Sequence, residues 1–275
     1  MKKKSIPFVK MVGAGNDFVV IDAQPGLHYK KLTLAACDRT NGIGADGLLI
    51  LDKSKKADYK MRIINADGSE AEMCGNGGRC MAVYIQDRHK PKKKLFSIET
   101  LAGSILGQAN GETAKIRLSD PKDLRTDIKI TFNDRPLTVH YIDTGVPHTI
   151  IFVDGLDKID VAGIGPSIRN HKAFAPRGAN VNFVEQVGPD LVHARTFERG
   201  VEGETKACGT GSVASAIVAY IKAHPASSGK REPRMKVKTA SGEILDVRFQ
   251  QNGDKISGVW LKGSARFIAQ GEFFL

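Results

Sequence analysis

Short apolar runs separated by glycine-containing polar turns dominate the chain and predict a fold rich in strands. In the first half, the predicted strands cover residues 8–12, 18–22, 48–51, 59–64, 95–99, 104–108 and 113–118. The segment 31–38 instead has the character of a helix. The pattern therefore predicts a mostly stranded unit that contains few helices.

Two glycine-rich segments each place a cysteine immediately before an apolar helical run. They read MCGNGGRC at 73–80 and ACGTGS at 207–212. This order predicts a helix with a glycine-rich first turn and with Cys74 or Cys208 at its start. Backbone N–H groups and the positive end of the helix dipole lower the pKa of a thiol there. The same groups can hold a carboxylate.

The second half repeats the order of the first. A strand, a glycine turn and a strand at 141–154 precede a helical piece at 163–170, strands at 180–185 and 191–198, and the second cysteine helix. Both helices are followed by similar segments, ETLAGSIL at 99–106 and KTASGEIL at 238–245. Landmarks in the same order predict an internal duplication.

This duplication predicts an α+β fold of two pseudo-symmetric domains, each a curled, mostly antiparallel sheet or barrel wrapped around a central helix. We expect halves at 1–122, to which 266–275 returns, and at 123–265. The join is placed between 121 and 135, where charge rises and the apolar periodicity fades. An approximate twofold axis would aim Cys74 and Cys208 at one point.

Composition narrows the class of protein. Hydrophobic residues make up 41% and charged residues 26% of the chain, as in soluble globular proteins. No apolar run approaches the roughly 20 residues that span a bilayer, and the start has no signal-peptide core, so we expect a cytoplasmic protein. Four cysteines without C-x-x-C spacing favour neither a disulfide scaffold nor zinc, and Cys37 and Cys80 are expected to be buried and inert.

The net charge of +11 leaves a nucleic-acid-binding protein open as an alternative. Lysine runs occur at 2–4, 53–56 and 90–94, at a terminus and in predicted loops, and no aromatic residues interleave them. A solvated basic surface is the favoured interpretation. An anionic small substrate would also suit this field.

Two thiols, one ionised and one protonated, can together invert a carbon stereocentre, because one removes a proton and the other returns one from the opposite face. N–H groups of Gly75, Asn76, Gly209 and Thr210 would then stabilise the carbanion through the substrate carboxylate. The scheme requires no metal and no cofactor. A disulfide, or two small buried residues that open helices, are the alternatives.

Other polar residues fall at positions where the predicted loops converge. His148 either shares a proton with a thiol or is a turn residue. Glu198 and Arg199 either bind an ammonium and a carboxylate or form a strand-end ion pair. Three asparagines at strand–turn junctions, which backbone preference also explains, are Asn16, Asn65 and Asn180.

Taken together, these segments resemble the diaminopimelate epimerase family over nearly the whole chain. The matching segments are GAGNDFVVID, GIGADG, NADGSEAEMCGNGGRC, the Pro-His at 147–148 and FERGVEGETKACGTGS. The resemblance implies cofactor-independent, two-base epimerisation of LL- to meso-diaminopimelate, in lysine and cell-wall precursor synthesis. It further implies two similar domains, a homodimer, and no use of pyridoxal phosphate.

The resemblance also implies residue roles. Cys74 and Cys208 would be catalytic, and His148 and Glu198 would tune the thiols. Substrate contacts would come from Asn16, Asn65, Gly75, Asn76, Asn180, Glu198, Arg199, Gly209 and Thr210. The partner is a small amino acid with two carboxylates, and neither nucleic acid nor membrane is expected.

Two departures keep a related diamino acid open as the substrate. Many family members have glutamine at the position of Gly47 and asparagine at the position of Val146. A proline or hydroxyproline racemase is a second alternative, although such enzymes usually have histidine at the position of Asn76 and less need of Arg199. Isomerases of the phenazine type lack the cysteine pair.

Overall fold

The computed structural model describes residues 5–224 and 229–275, so the lysine run at 2–4 lies outside the described residues. The chain divides into two compact units. Unit 1 runs to Arg117 and includes Lys262–Leu275, and unit 2 is Leu118–Leu261. The halves at 1–122 and 123–265 stay a prediction about the duplication.

Nineteen strands and four α-helices make up the described residues. In chain order they are β1 Ser5–Gly13, β2 Asn16–Asp22, α1 Tyr29–Cys37, β3 Gly47–Asp52, β4 Tyr59–Asn65, β5 Glu70–Ala71, α2 Gly75–Tyr84, β6 Phe96–Thr100, β7 Gly103–Asn110, β8 Thr113–Arg117, β9 Lys122–Phe132, β10 Arg135–Asp143, β11 Pro147–Phe152, α3 Val161–Arg169, β12 Asn180–Gln186, β13 Leu191–Glu198, β14 Gly203–Thr205, α4 Gly209–Ala223, β15 Lys230–Arg231, β16 Arg234–Thr239, β17 Ile244–Asn252, β18 Lys255–Ser264 and β19 Arg266–Phe274. A π-helical turn, Ile85–His89, continues α2, and short 3₁₀ turns cover Leu156–Lys158 and Lys172–Phe174.

In unit 1 the sheet encloses α2. Its strands pair in the order β19, β1, β2, β3, β4, β6, β7, β8, with parallel pairs at β2–β3 and β4–β6 and antiparallel pairs elsewhere. All ten residues of α2 are buried, and the helix contacts β1, β2, β3, β4, β7 and β8. A helix buried on every side requires a sheet that curls around it.

Unit 2 repeats this succession of strand pairs. Its order is β9, β10, β11, β12, β13, β16, β17, with parallel pairs at β11–β12 and β13–β16. In each unit, the long strand that precedes the enclosed helix also pairs with a short strand, β4 with β5 in unit 1 and β13 with β14 in unit 2. The enclosed helix is α4, which contacts β10 to β13, β16 and β17. The predicted α+β class, with a curled sheet around one central helix per unit, is confirmed.

Peripheral helices complete each core. In unit 1, Leu32, Ala36 and Cys37 of α1 join a cluster with Ile21 and Leu48. Cys37 is buried, as expected, and burial raises the pKa of its thiol to about 11. No helix among the residues described is both long and apolar enough to cross a bilayer.

The segment predicted as a join, 121–135, is largely a strand. β9 pairs antiparallel with β10, so that Ile128 lies opposite Val139 and Ile130 opposite Leu137. Ile130 is buried in the core of unit 2, and Phe132 packs against it. Charged residues on β9 lower its mean hydropathy, and the alternation of apolar side chains is limited to Ile128, Ile130 and Phe132 because the register shifts before them. The segment is therefore a strand of unit 2, and the position of the join between the halves stays a prediction.

Candidate active site

Cys74 caps the amino terminus of α2. Its backbone is extended, with φ −140° and ψ 120°, and its sulfur accepts the Gly77 N–H at 3.4 Å. An N-cap side chain normally supplies an oxygen in this place. The thiol is partly exposed, whereas the glycines behind it are buried. As the motif predicts, the helix begins immediately after the cysteine.

A chain of hydrogen bonds fixes the two amides near the start of α2. Arg79, which is fully buried, donates from Nη2 to Asn76 Oδ1 at 2.8 Å. Asn76 Nδ2 donates to Asn16 Oδ1 at 2.5 Å, and Asn16 Nδ2 donates to Asp46 Oδ2 at 2.9 Å. Because arginine only donates and a carboxylate only accepts, the orientation of both amides is determined.

The turn after β4 brings Asn65 beside this chain. The Asn65 side chain is exposed and donates to Ser69 Oγ at 3.0 Å, while the Ala66 N–H donates to the Asp46 carbonyl at 3.0 Å. A Cβ at Gly47 would lie 2.7 Å from the Ile64 carbonyl oxygen. A longer side chain at this position would therefore require β3 or β4 to shift.

Cys208 caps α4 in the same way. Its φ is −107° and its ψ 112°, and its sulfur accepts the Gly211 N–H at 3.4 Å. The Thr210 hydroxyl lies 3.5 Å from the same sulfur. A Cβ at Gly211 would lie 2.4 Å from Asn182 Oδ1, so the second glycine of the C-G-x-G segment gives room to that amide.

His148 is the second residue of β11 and is fully buried. Its Nε2 lies 3.0 Å from Thr210 Oγ1, and its Nδ1 lies 3.1 Å from Asn182 Nδ2. Burial, which removes the ring from water, lowers the pKa of His148 to about 3. The imidazole is therefore neutral at physiological pH.

Glu198 ends β13 and lies against the Cys208 thiol. Burial raises the pKa of this carboxyl, and hydrogen bonds from Thr205 and Cys208 offset part of that effect. Its Oε2 accepts the Thr205 hydroxyl at 3.0 Å. A carboxyl with a raised pKa beside a thiol is suited to share a proton with it.

Asn180 ties the start of β11 to the end of β13. Its Nδ2 donates to the Pro147 carbonyl at 3.1 Å, and its Oδ1 accepts the Arg199 backbone N–H at 2.7 Å. The Arg199 guanidinium donates to the Arg177 carbonyl at 3.2 Å. The amide therefore positions the backbone next to His148 and Arg199.

Unit 1 contains Asn16, Asn65, Cys74, Gly75 and Asn76, and unit 2 contains His148, Asn180, Glu198, Arg199, Cys208, Gly209 and Thr210. At the helix starts, contacts link Asn16 to Asn76, His148 to Thr210 and Glu198 to Cys208. The side chains of Asn65, Asn180 and Arg199 bond to Ser69, Pro147 and Arg177. The catalytic and binding roles of the predicted residues stay predictions. In the described part of the chain, no cluster of three or more His, Cys, Asp or Glu side chains is arranged to hold a metal ion.

Three polar residues in these contacts, Asp46, Arg79 and Asn182, were not predicted from the sequence. A fourth is Thr196, whose hydroxyl donates to Asn182 Oδ1 at 2.9 Å. A signal existed for one of them. Asn182 is two residues after Asn180 in a strand, so both side chains must lie on the same face of the sheet.

Comparison with known proteins gives one consistent family. The family model described as diaminopimelate epimerase matches residues 8–121 and 140–268. The chain is 41% identical over 270 residues to the diaminopimelate epimerase of Chlorobaculum tepidum, covering 96% of this chain and 100% of that protein. It is also 41% identical over 284 residues to the one of Methanocella arvoryzae, covering 97% and 96%.

Solved structures agree on the fold. A Bacillus anthracis phenazine biosynthesis protein of the PhzF family has a TM-score of 0.75 at 20% identity, over 99% of this chain and 100% of that one. A probable proline racemase from Agrobacterium radiobacter K84 has a TM-score of 0.69 at 14% identity, over 98% and 92%. The family model, which matches most of the chain, and the relatives at 41% identity establish that the chain belongs to the diaminopimelate epimerase family.

Proposed function

We propose that the protein is an isomerase that epimerises LL-2,6-diaminopimelate to meso-diaminopimelate without a cofactor, in lysine and cell-wall precursor synthesis. Family membership supports the reaction. The observation that carries the mechanism is the repeated cap, in which the sulfur of Cys74 and that of Cys208 each accept an N–H from the first turn of an enclosed helix.

In this proposal the two thiols act as a pair of opposite acid–base groups. The thiolate of one cysteine removes the α-proton, and the thiol of the other delivers a proton to the opposite face of the same carbon. The electron pair left on the carbon is stabilised through the substrate carboxylate by first-turn N–H groups. After turnover the ionised and protonated cysteines have exchanged roles, so the reverse reaction restores the starting state.

Polar residues outside the two cysteine motifs would bind the distal end of the substrate. Arg199 would bind the distal carboxylate, and Asn16, Asn65 and Asn180 would supply amide contacts, directly or through water where Gly47 and Val146 replace longer side chains. Glu198 is suited to an ammonium or to proton exchange with Cys208. A homodimer in the cytoplasm belongs to the same proposal and follows from the family resemblance.

The deciding experiment is incubation with LL- or meso-diaminopimelate in deuterated water, with no cofactor added. We expect deuterium at one α-carbon of the wild-type product. Net epimerisation should be lost in Cys74→Ala and in Cys208→Ala, because each lacks one of the two proton carriers. NMR and chiral chromatography measure the two outcomes.

A matched control replaces a cysteine that the proposal does not use. Cys37→Ala removes a buried thiol of α1 and should retain turnover. Inversion that persists in both catalytic variants would rule out the thiol pair. Turnover of proline but not of diaminopimelate would instead favour the racemase alternative.

A further inference from the structure

A buried line of hydrogen bonds leads through unit 2 to the Cys208 sulfur. Thr196 Oγ1 donates to Asn182 Oδ1 at 2.9 Å, and Asn182 Nδ2 lies 3.1 Å from His148 Nδ1. His148 Nε2 lies 3.0 Å from Thr210 Oγ1, which in turn lies 3.5 Å from the sulfur. Asn182 and His148 are both fully buried, so water does not compete for the bond between them, whereas Thr210 is partly exposed.

The orientation of the Asn182 amide follows from its other partners. Its Nδ2 lies 3.0 Å from the Thr149 carbonyl oxygen, which can only accept. The NH₂ end of Asn182 therefore faces both this oxygen and the ring of His148. The second amide hydrogen points at His148 Nδ1, which must be the acceptor.

A neutral imidazole that accepts at Nδ1 carries its proton on Nε2. The Nε2–H of His148 then donates to Thr210 Oγ1. Because this hydroxyl already accepts a hydrogen bond from the ring, its own hydrogen is directed to the next acceptor in reach, which is Cys208 Sγ at 3.5 Å. The Gly211 N–H is a second donor to the same sulfur.

We propose that Asn182 is a positioning residue that fixes the Nε2–H tautomer of His148. The Thr210 hydroxyl, which accepts a hydrogen bond from this N–H, then donates its own hydrogen to Cys208 Sγ and stabilises the thiolate. Hydrogen bonds to a charged acceptor are stronger than those to a neutral one, so the arrangement favours ionisation of the thiol. The inference rests on the proposed function only in taking Cys208 as a reactive thiol.

The family resemblance implies that His148 tunes a thiol, and this arrangement specifies how; it also gives the Thr210 side chain a role that the resemblance does not state. His148 acts as a fixed hydrogen-bond donor to a hydroxyl, since its low pKa keeps the ring neutral. Thr210 contributes its side chain as well as the backbone N–H expected to contact substrate. Each hydrogen bond in this series is donated in the same direction, from Asn182 towards the sulfur of Cys208.

The test measures the rate at which iodoacetamide alkylates Cys208 as a function of pH, in the full-length protein, with mass-spectrometric mapping to separate the four cysteines. Thr210→Val keeps the side-chain shape but removes the hydroxyl. We expect the midpoint of the Cys208 profile to rise by about one pH unit, which slows alkylation at pH 7 about tenfold. Thr210→Ser should restore the wild-type profile.

The matched control is Ser215→Ala on the same helix. Its buried hydroxyl donates to the Gly211 carbonyl at 2.8 Å and is not directed at the sulfur. This variant should leave the Cys208 profile unchanged. A wild-type profile in Thr210→Val would overturn the proposal, as would a failure of Thr210→Ser to restore it.

The tautomer has its own measurement. Ring ¹⁵N shifts of His148 in the wild-type protein at pH 7 should show the proton on Nε2, and a proton on Nδ1 or a charged ring would contradict the assignment of Asn182. Neither measurement uses a substrate. Absence of diaminopimelate turnover would therefore count against the proposed function and leave this inference standing on its own results.

Discussion

The buried imidazoles of His140 and His148 make the folding stability of unit 2 depend on pH. Burial lowers the pKa of His148 to about 3 and that of His140 to about 4, both from 6.5. A group whose pKa is lower in the folded state stabilises the fold fully above its unfolded pKa. That stabilisation is lost as the pH falls from 6.5 towards the folded pKa, because unfolding then takes up a proton.

The consequence is measurable in a variant that cannot titrate at this position. Between pH 6.5 and pH 5, wild-type protein should lose about 1.5 kcal/mol of unfolding free energy through His148. His148→Asn, although less stable at neutral pH, should lose that much less over the same interval. Urea unfolding at several pH values measures the difference.

The comparison contains its own control. Between pH 7.5 and pH 8.5 the ring is neutral in both the folded and the unfolded state, so the two proteins should change in parallel. An equal loss in wild type and variant between pH 6.5 and pH 5 would show that the folded protein accommodates a charged His148.

For single residues, sequence motifs identified the two cysteines at the helix starts but not the polar residues that contact the neighbouring site residues. Cys74 and Cys208 were found because a repeated spacing singled them out. Arg79 was not, since arginine is seldom fully buried, and only the structure shows that Asn76 and the Gly75 carbonyl accept its hydrogen bonds. Asp46 and Asn182 were missed for another reason, because they contact Asn16 and His148 from segments at least 30 residues away and leave no local pattern.

The two capped helices differ in how tightly their second glycine is held. A Cβ at Gly211 would lie 2.4 Å from Asn182 Oδ1, a buried and fully bonded amide. A Cβ at Gly77 would meet the end of the Leu49 side chain at 3.1 Å. The first contact cannot relax without breaking hydrogen bonds, whereas the second needs only a small side-chain movement.

Gly211→Ala should therefore destabilise the protein by about 2 kcal/mol, as expected for an overpacked site. Gly77→Ala should be nearly neutral, because the gain in helix propensity, up to about 1 kcal/mol, offsets the milder contact. Midpoints of urea unfolding compare the two variants. Equal losses would contradict the view that Asn182 sets the packing at α4.

Element prediction succeeded where apolar positions were dense. The turn between β1 and β2, with positive φ at Ala14 and Gly15, matches the predicted glycine turn and places Asn16 at the start of β2. β9 was missed because charged residues on its outer face concealed the alternation of Ile128, Ile130 and Phe132. The short strands β5 and β14 have too few residues to give a periodic signal.

Among the residues that the structure describes, each unit contains one enclosed α-helix and one peripheral α-helix. α2 is buried along its whole length and α4 over most of it, whereas α1 and α3 bury one face each. Amides of an enclosed helix can exchange with solvent only when the surrounding sheet opens. Those of a peripheral helix need only a local opening.

Hydrogen exchange followed by mass spectrometry should therefore rank the four helices. Peptides from α2 and α4 should exchange at least about tenfold more slowly than peptides from α1 and α3. The result is specific to enclosure, because α1 and α2 are of similar length. Equal protection in all four helices would show that unfolding of each unit is a single cooperative event.

The duplication was accessible from the sequence because its landmarks recur in the same order. The strand pairs were not, since parallel partners such as β4 and β6, or β13 and β16, are separated by an entire helix. Register depends on such long-range contacts. The net charge of +11 likewise describes the surface and gave no information about the fold.

The sulfur caps have a practical meaning for work with ligands. Serine is among the best N-cap residues, whereas alanine is among the poorest. Exchanging a capping sulfur for a hydroxyl keeps an acceptor for Gly77 or Gly211, and a hydroxyl is far less acidic than a thiol. Under the proposed mechanism, a serine at either position would remove the reactive thiol but keep the helix cap, and the resulting inert, intact protein could hold an unreacted substrate for crystallography.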